Sequence, residues 1–147
     1  MIAKRLDEEW RQGRVSLGAA ARWTAEEVRL VAELGYALAG QGRYDEALIL
    51  FEGLAALAPA TPYFQSALGA LKLRLGRHAE ALTHLNNALA ANPADLSALV
   101  NRGEAYLSLG NYQAAINSLR AAISLPPDGS EEDRALIRAR ALLACYV

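Results

Sequence analysis

From Thr24 onward, apolar residues recur three and four positions apart in stretches broken by short polar turns, the spacing of amphipathic helices rather than strands. Thr24-Ala25-Glu26-Glu27 has the form of a capping box, in which the Thr24 hydroxyl serves the Glu27 amide and the Glu27 carboxylate reaches back. A helix therefore starts there and runs to about Gly40, with Val28, Val31, Leu34, Gly35 and Leu38 on one face. Gly42-Arg43-Tyr44 turns the chain into a second helix carrying Ala47, Leu48, Phe51 and Leu54. The same arrangement returns twice. Leu68, Gly69, Leu71 and Leu75 precede Ala81, Leu82, Leu85 and Ala88, and Leu99, Gly103 and Tyr106 precede Tyr112, Ala115, Leu119 and Ala122. Thr61 before Pro62 and Asp95 before Leu96 are good start signals for the first helix of each later pair.

The interval between copies is 34 residues: Gly42-Arg43-Tyr44, Gly76-Arg77-His78 and Gly110-Asn111-Tyr112 stand in one register, and Pro59, Pro93 and Pro127 in another. A fixed period of that length is the signature of tetratricopeptide repeats, in which two antiparallel helices form a unit and neighbouring units bury each other's apolar faces. The expected fold is an all-α tetratricopeptide-repeat α-solenoid with three helix pairs, residues 28–61, 62–95 and 96–129, an N-terminal extra helix and a C-terminal capping helix. Gly35, Gly69 and Gly103 on the first helices, and Ala47, Ala81 and Ala115 on the second, are small where paired helices must approach closely.

Residues 1–23 form an extension whose Ile2, Leu6 and Trp10 share a stripe. At the other end Ser130 is placed to cap a last helix, 130–147, whose acidic start Glu131-Glu132-Asp133 suits the positive end of the helix dipole. Leu136, Ala139, Leu143 and Tyr146 are expected to cover the open face of the third repeat, with Arg134, Arg138 and Arg140 facing water.

Composition narrows the function classes. Fifteen basic against sixteen acidic residues leave a formal charge of -1, too weak a field to argue for nucleic acid or an anionic membrane. The charged first turns do not read as a signal peptide and no apolar run approaches the roughly 20 residues that cross a bilayer, so no leader is expected and a cytoplasmic protein is. The single cysteine, Cys145, reads as a small buried hydrophobe of the last helix. His78 and His84, six apart, do not share a helical face as two zinc ligands would. With no phosphate loop, metal-ligand cluster or nucleophile elbow, neither an enzyme nor a cofactor or metal site is expected.

In a stack of this kind the concave face is formed by recurring positions of the first helices. The first repeat offers Arg29, Ala32, Glu33, Tyr36, Ala39 and Gly40 there; the second offers Tyr63, Ser66, Ala67, Ala70, Leu73 and Arg74; the third offers Ser97, Val100, Asn101, Glu104, Leu107 and Ser108. Repeats that clamp a terminal carboxylate place lysine and asparagine where this chain has Ala32, Tyr36, Ser66 and Ala70, so such a clamp is absent. An extended peptide with apolar anchors fits better, because alanines leave pockets and Tyr36, Tyr63 and Leu73 supply walls. Tyr63, next to Phe64, could instead belong to the repeat core.

Gly13-Arg14-Val15-Ser16-Leu17, Trp23-Thr24-Ala25-Glu26-Glu27-Val28, Leu34-Gly35-Tyr36-Ala37-Leu38 and Gly42-Arg43-Tyr44-Asp45-Glu46-Ala47-Leu48 with Phe51 resemble the N-terminal half of the type III secretion translocator chaperones of the SycD/LcrH kind. Pro62-Tyr63-Phe64, Ala67-Leu68-Gly69-Ala70 and Leu75-Gly76-Arg77 with Glu80-Ala81-Leu82 extend the resemblance to about residue 95, whereas the third repeat reads as generic tetratricopeptide sequence. The resemblance implies a bacterial cytoplasmic chaperone that needs no nucleotide and keeps hydrophobic translocators soluble by holding an extended segment in the concave groove. Tyr36, Tyr63, Ala70, Leu73 and Leu107 are then groove residues, with Arg29, Ser66, Arg74, Asn101 and Glu104 beside them. Ile2, Leu6 and Trp10 become candidates for a homodimer contact, packing on the first repeat being the alternative. A general tetratricopeptide adaptor for a multiprotein complex is the other reading of the same surface.

Overall fold

The turn glycines show how the repeat is built. Gly42, Gly76 and Gly110 have φ of 76°, 76° and 78°, the left-handed region that costs a side chain about 1–2 kcal/mol. Each ends a helix in the same way: the Arg43 amide donates to Leu38 O (2.9 Å), that of Arg77 to Lys72 O (2.8 Å) and that of Asn111 to Tyr106 O (2.9 Å), the long bond of a Schellman motif. These three motifs reverse the chain at three identical hairpins.

The computed structural model describes residues 23–59, 61–126 and 132–146, without the side chains of Glu132 and Asp133. Ile2, Leu6 and Trp10, with the dimer contact they were expected to make, and the expected cap Ser130 lie outside the described residues. Among the described residues there are seven α-helices and no strand: α1 (Ala25–Gly40), α2 (Tyr44–Leu57), α3 (Pro62–Arg74), α4 (His78–Ala91), α5 (Leu96–Ser108), α6 (Tyr112–Ile123) and α7 (Glu132–Tyr146). The starts follow the local chemistry. At α1 the Glu27 amide donates to Thr24 Oγ1 (3.2 Å) and the Thr24 amide to Glu27 Oε2 (2.8 Å), completing the capping box. Asp95 accepts from the Ala98 amide (3.0 Å) at α5, and Asn111 from the Ala114 amide (3.3 Å) at α6. The equivalent residues of α2 and α4, Arg43 and Arg77, make no side-chain cap; Arg43 Nε instead donates to Glu46 Oε1 (2.9 Å).

The chain divides into two compact units, residues 1–64 and 65–147, the boundary falling within α3. In the first, α1 packs on α2 around Phe51, which is 1% exposed. A Cβ at Gly35 would sit 2.6 Å from Phe51 Cε2, so the glycine sets how closely the two helices approach. Phe51 meets Tyr36 edge-on (centroids 5.1 Å, 69°) and Phe64 at 6.4 Å, while Tyr63 lies 5.7 Å from Tyr36. Burial of Leu50, Phe51 and Leu54 contributes about 1.5–3 kcal/mol each before conformational entropy is counted.

In the second unit the device recurs with leucine in place of phenylalanine. A Cβ at Gly69 would meet Leu85 Cδ2 at 2.5 Å, and one at Gly103 would meet Leu119 Cδ2 at 2.7 Å. Ala81, Ala88, Ala98, Ala115 and Ala122 are fully buried, which is how an alanine-rich chain packs helices so tightly. The last helix, α7, packs on both α5 and α6, with Ala139 fully buried and Leu136, Leu142 and Leu143 against the same core.

Three expectations for α7 are corrected. Arg138 does not face water: its Nη2 donates to Asn101 Oδ1 (2.6 Å) and its Nε lies 3.7 Å from Glu104 Oε1. It sits at the edge of the packed stripe next to α5, which carries both partners. Cys145 is exposed, because the stripe of Ala135, Leu136, Ala139, Leu142 and Leu143 faces the core and position 145 falls outside it. Tyr146 is half exposed and stacks on Tyr112 (centroids 5.5 Å, 23°) rather than covering the core. Arg134 and Arg140 are exposed, in keeping with the sequence.

Candidate partner-binding site

Two cavities lie on faces of the first helices, one in each unit. In the first unit a cavity of about 400 Å³ is lined by Val28, Arg29, Ala32, Glu33, Tyr36, Tyr63 and Phe64, with Ala25 at its edge. Ala32 (8% exposed) and Phe64 (5%) form a closed apolar floor, and Tyr36 (42%) and Tyr63 (52%) are upright walls open to solvent. The alternation of Tyr63 out and Phe64 in settles that Tyr63 is not core. Arg29 is already engaged by Glu26 and Glu33, one turn before and one turn after it. Its hydrogen bond from the guanidinium holds the Glu26 carboxyl below the usual range, and Glu26 in turn raises Arg29. The rim of this cavity therefore carries Arg29 and Glu33 as a paired charge, with Glu26 on the same guanidinium just outside it.

In the second unit a cavity of about 420 Å³ is lined by Leu73, Arg74, His78, Glu104, Leu107, Ser108, Leu142 and Tyr146. α3 and α5 give one side and α7 the other. Leu73, Leu107 and Leu142 are half-buried extensions of the core, so the cavity is apolar at its base. The polar side chains expected to meet a partner here have different fates. Arg74 is exposed and has no ion-pair partner among the described residues, Glu104 is neutralised by Arg138, and Asn101 is 5% exposed beneath α7 and accepts from Arg138. Val100, fully buried, shares a core cluster with Ala139. Ser66 and Ala70 are half-buried on α3.

Sequence reading missed Leu142 and Tyr146 as cavity walls, although their i, i+4 spacing on an apolar helix was visible. His84 is a packing residue with a polar edge, its Nδ1 lying 2.8 Å from Gln65 Oε1. Burial, then the Lys72 ammonium, lowers its pKa, and Glu80 opposes the shift. Among the described residues there is no group of three or more His, Cys, Asp or Glu that could hold a metal ion, and no helix long and apolar enough to cross a membrane.

Comparison with known proteins agrees with this architecture. Tetratricopeptide-repeat family models match residues 66–130 and 28–52, so the chain is built of tetratricopeptide repeats. Its fold is that of the type III secretion chaperone SycD of Yersinia enterocolitica, solved in complex with a peptide of the translocator YopD: TM-score 0.76 at 19% identity, covering 83% of this chain and 93% of that one. PcrH in complex with the chaperone-binding region of PopD is similar at TM-score 0.77 and 21% identity, over 84% and 93% of the two chains. The first tetratricopeptide domain of Spaghetti (RPAP3), bound to the HSP90 peptide SRMEEVD, gives 0.67 at 25% identity, over 82% and 96%. By sequence, the chain is 40% identical over 62 residues to Superkiller complex protein 3 of Mus musculus. That match takes in 42% of this chain, and the chain spans 4% of the length of the curated relatives it matches.

Proposed function

We propose that this protein is a type III secretion chaperone that binds an extended, apolar segment of a hydrophobic translocator in the bacterial cytoplasm. The observation that carries the reading is the pair of half-exposed aromatic walls, Tyr36 and Tyr63, over the buried floor of Ala32 and Phe64. Exposed rings held 5.7 Å apart beside a cavity provide contact area at little ordering cost. The magnitudes fit an extended ligand with several anchors. A fully buried leucine-sized side chain gains about 1.5–3 kcal/mol, while ordering a disordered segment costs about 2–5 kcal/mol, so one anchor does not suffice. The fold shared with SycD, solved with a peptide of the translocator YopD, and with PcrH, solved with the chaperone-binding region of PopD, supports the same class of ligand.

A second reading, an adaptor within a larger assembly, draws on the 40% identity with Superkiller complex protein 3, higher than the 19–21% found with the two secretion chaperones. Co-expression separates the two. A chaperone moves an aggregation-prone translocator of the same genome into the soluble fraction as a complex with this chain, and Tyr63→Ala reduces the yield while the far-ultraviolet circular dichroism is unchanged. A translocator whose solubility does not respond to the chain contradicts the chaperone reading.

A further inference from the structure

The cavity of the second unit differs in charge from an ordinary apolar pocket. Its three leucines supply the base, yet two charged side chains, Arg74 and Glu104, stand at its rim. They do not offset one another in the interactions they make. The Glu104 carboxylate faces Arg138 at 3.7 Å, and Arg138 is itself fixed by the bond from Nη2 to the buried Asn101 Oδ1. Lys72, the neighbouring cation on α3, is paired with Glu80 (3.7 Å). Arg74 is thus the rim cation whose charge no described carboxylate answers, and the helix that closes the cavity contributes the arginine that silences its acid.

We propose that this cavity selects an apolar side chain flanked by a carboxylate, so that the partner segment carries an aspartate or glutamate beside the anchor that enters here. The inference rests on the peptide-binding reading above and names the chemistry of one anchor. The leucines bury the anchor, and the guanidinium of Arg74 receives the neighbouring acid in the forked geometry that suits a carboxylate. Asn101 and Glu104, which look on sequence like contacts for the partner, act indirectly. Asn101 positions Arg138, and Arg138 keeps Glu104 from repelling the incoming acid.

The test uses the full chain and synthetic peptides carrying spaced leucines, each with a single Asp, Asn or Lys placed beside one leucine at a time, read by fluorescence anisotropy. Because Arg74 is exposed, the Asp peptide of the best register is expected to bind about two- to fivefold tighter than its Asn counterpart, with Lys weakest. The preference shrinks as salt is raised. Arg74→Gln erases it, and Glu104→Gln widens it by leaving the Arg138 charge without its carboxylate partner. Peptides that bind with no preference for Asp, or a preference that survives Arg74→Gln, overturn this inference and leave the peptide-binding reading intact. Failure of every peptide to bind overturns both.

Discussion

Gly69 lies hard against Leu85 of α4, and Gly69→Ala tests how tightly the two helices pack there. The added Cβ would lie 2.5 Å from both Cδ2 and Cγ of Leu85 and 3.4 Å from Ala81 O. Comfortable carbon contacts begin near 3.5 Å, so the shortfall is about 1 Å. Leu85 is fully buried, and although a χ2 change could move Cδ2, Cγ is tied to the backbone through χ1, so relief requires the helices to part. Overpacking of this severity belongs in the upper part of the usual penalty of about 1–3 kcal/mol, while replacing a helical glycine by alanine returns at most about 1 kcal/mol. The expected net loss is about 1–2 kcal/mol, or a fall in melting temperature of roughly 2–8 °C for a chain of 147 residues. Urea unfolding followed by far-ultraviolet circular dichroism measures it. Gly40→Ala at the end of α1, where nothing lies within 4 Å, is the control and is expected to be neutral or stabilising. If Gly69→Ala is as stable as that control, the close-packing account of the repeated glycines is wrong. A double variant with Leu85→Ala should cost less than the sum of the two single changes, since it removes the clashing side chain.

Two further outcomes follow from backbone geometry and from charge. Gly76→Ala meets no atom within 4 Å but must hold φ near 76°, so it should destabilise by about 1–2 kcal/mol in the same unfolding assay, with Gly76→Asn costing less. His84, with its native pKa lowered from 6.5, binds its proton more readily when unfolded; stability attached to its neutral form is full above 6.5 and is lost as pH falls below that value. Thermal melts between about pH 7 and pH 5 should therefore fall more steeply for the wild type than for His84→Gln, and parallel slopes would remove His84 from the account.

Most of the fold was legible because each repeat announces itself chemically. The capping box at Thr24, the aspartate cap at Asp95 and the three left-handed glycines act through bonds within a few residues of themselves, so spacing alone revealed them. Gly35, Gly69 and Gly103 were legible for another reason: the period places the smallest residue of one helix opposite a large buried side chain of its partner every time. The site was legible only in part. Tyr36 and Tyr63 stand where the repeat register puts them, exposed beside a cavity. Val100 and Asn101 obey the same register yet lie buried, because α7 stands outside the period and nothing in the repeat says how far along α5 it lies. Arg138 looks on sequence like a solvated charge for the same cause: its partners Asn101 and Glu104 are 37 and 34 residues away, beyond any helical spacing rule.

The central claim is that an apolar segment of an exported protein is held against the cavity walled by Tyr36 and Tyr63, and it is tested most directly by affinity capture from the native cell with mass spectrometry, wild type against Tyr63→Ala. The account predicts that the wild type captures an exported protein with hydrophobic, membrane-inserting segments and that Tyr63→Ala loses it while keeping the far-ultraviolet circular dichroism of the folded chain. Capture undiminished by Tyr63→Ala, or capture of a stable assembly containing no exported protein, would contradict it.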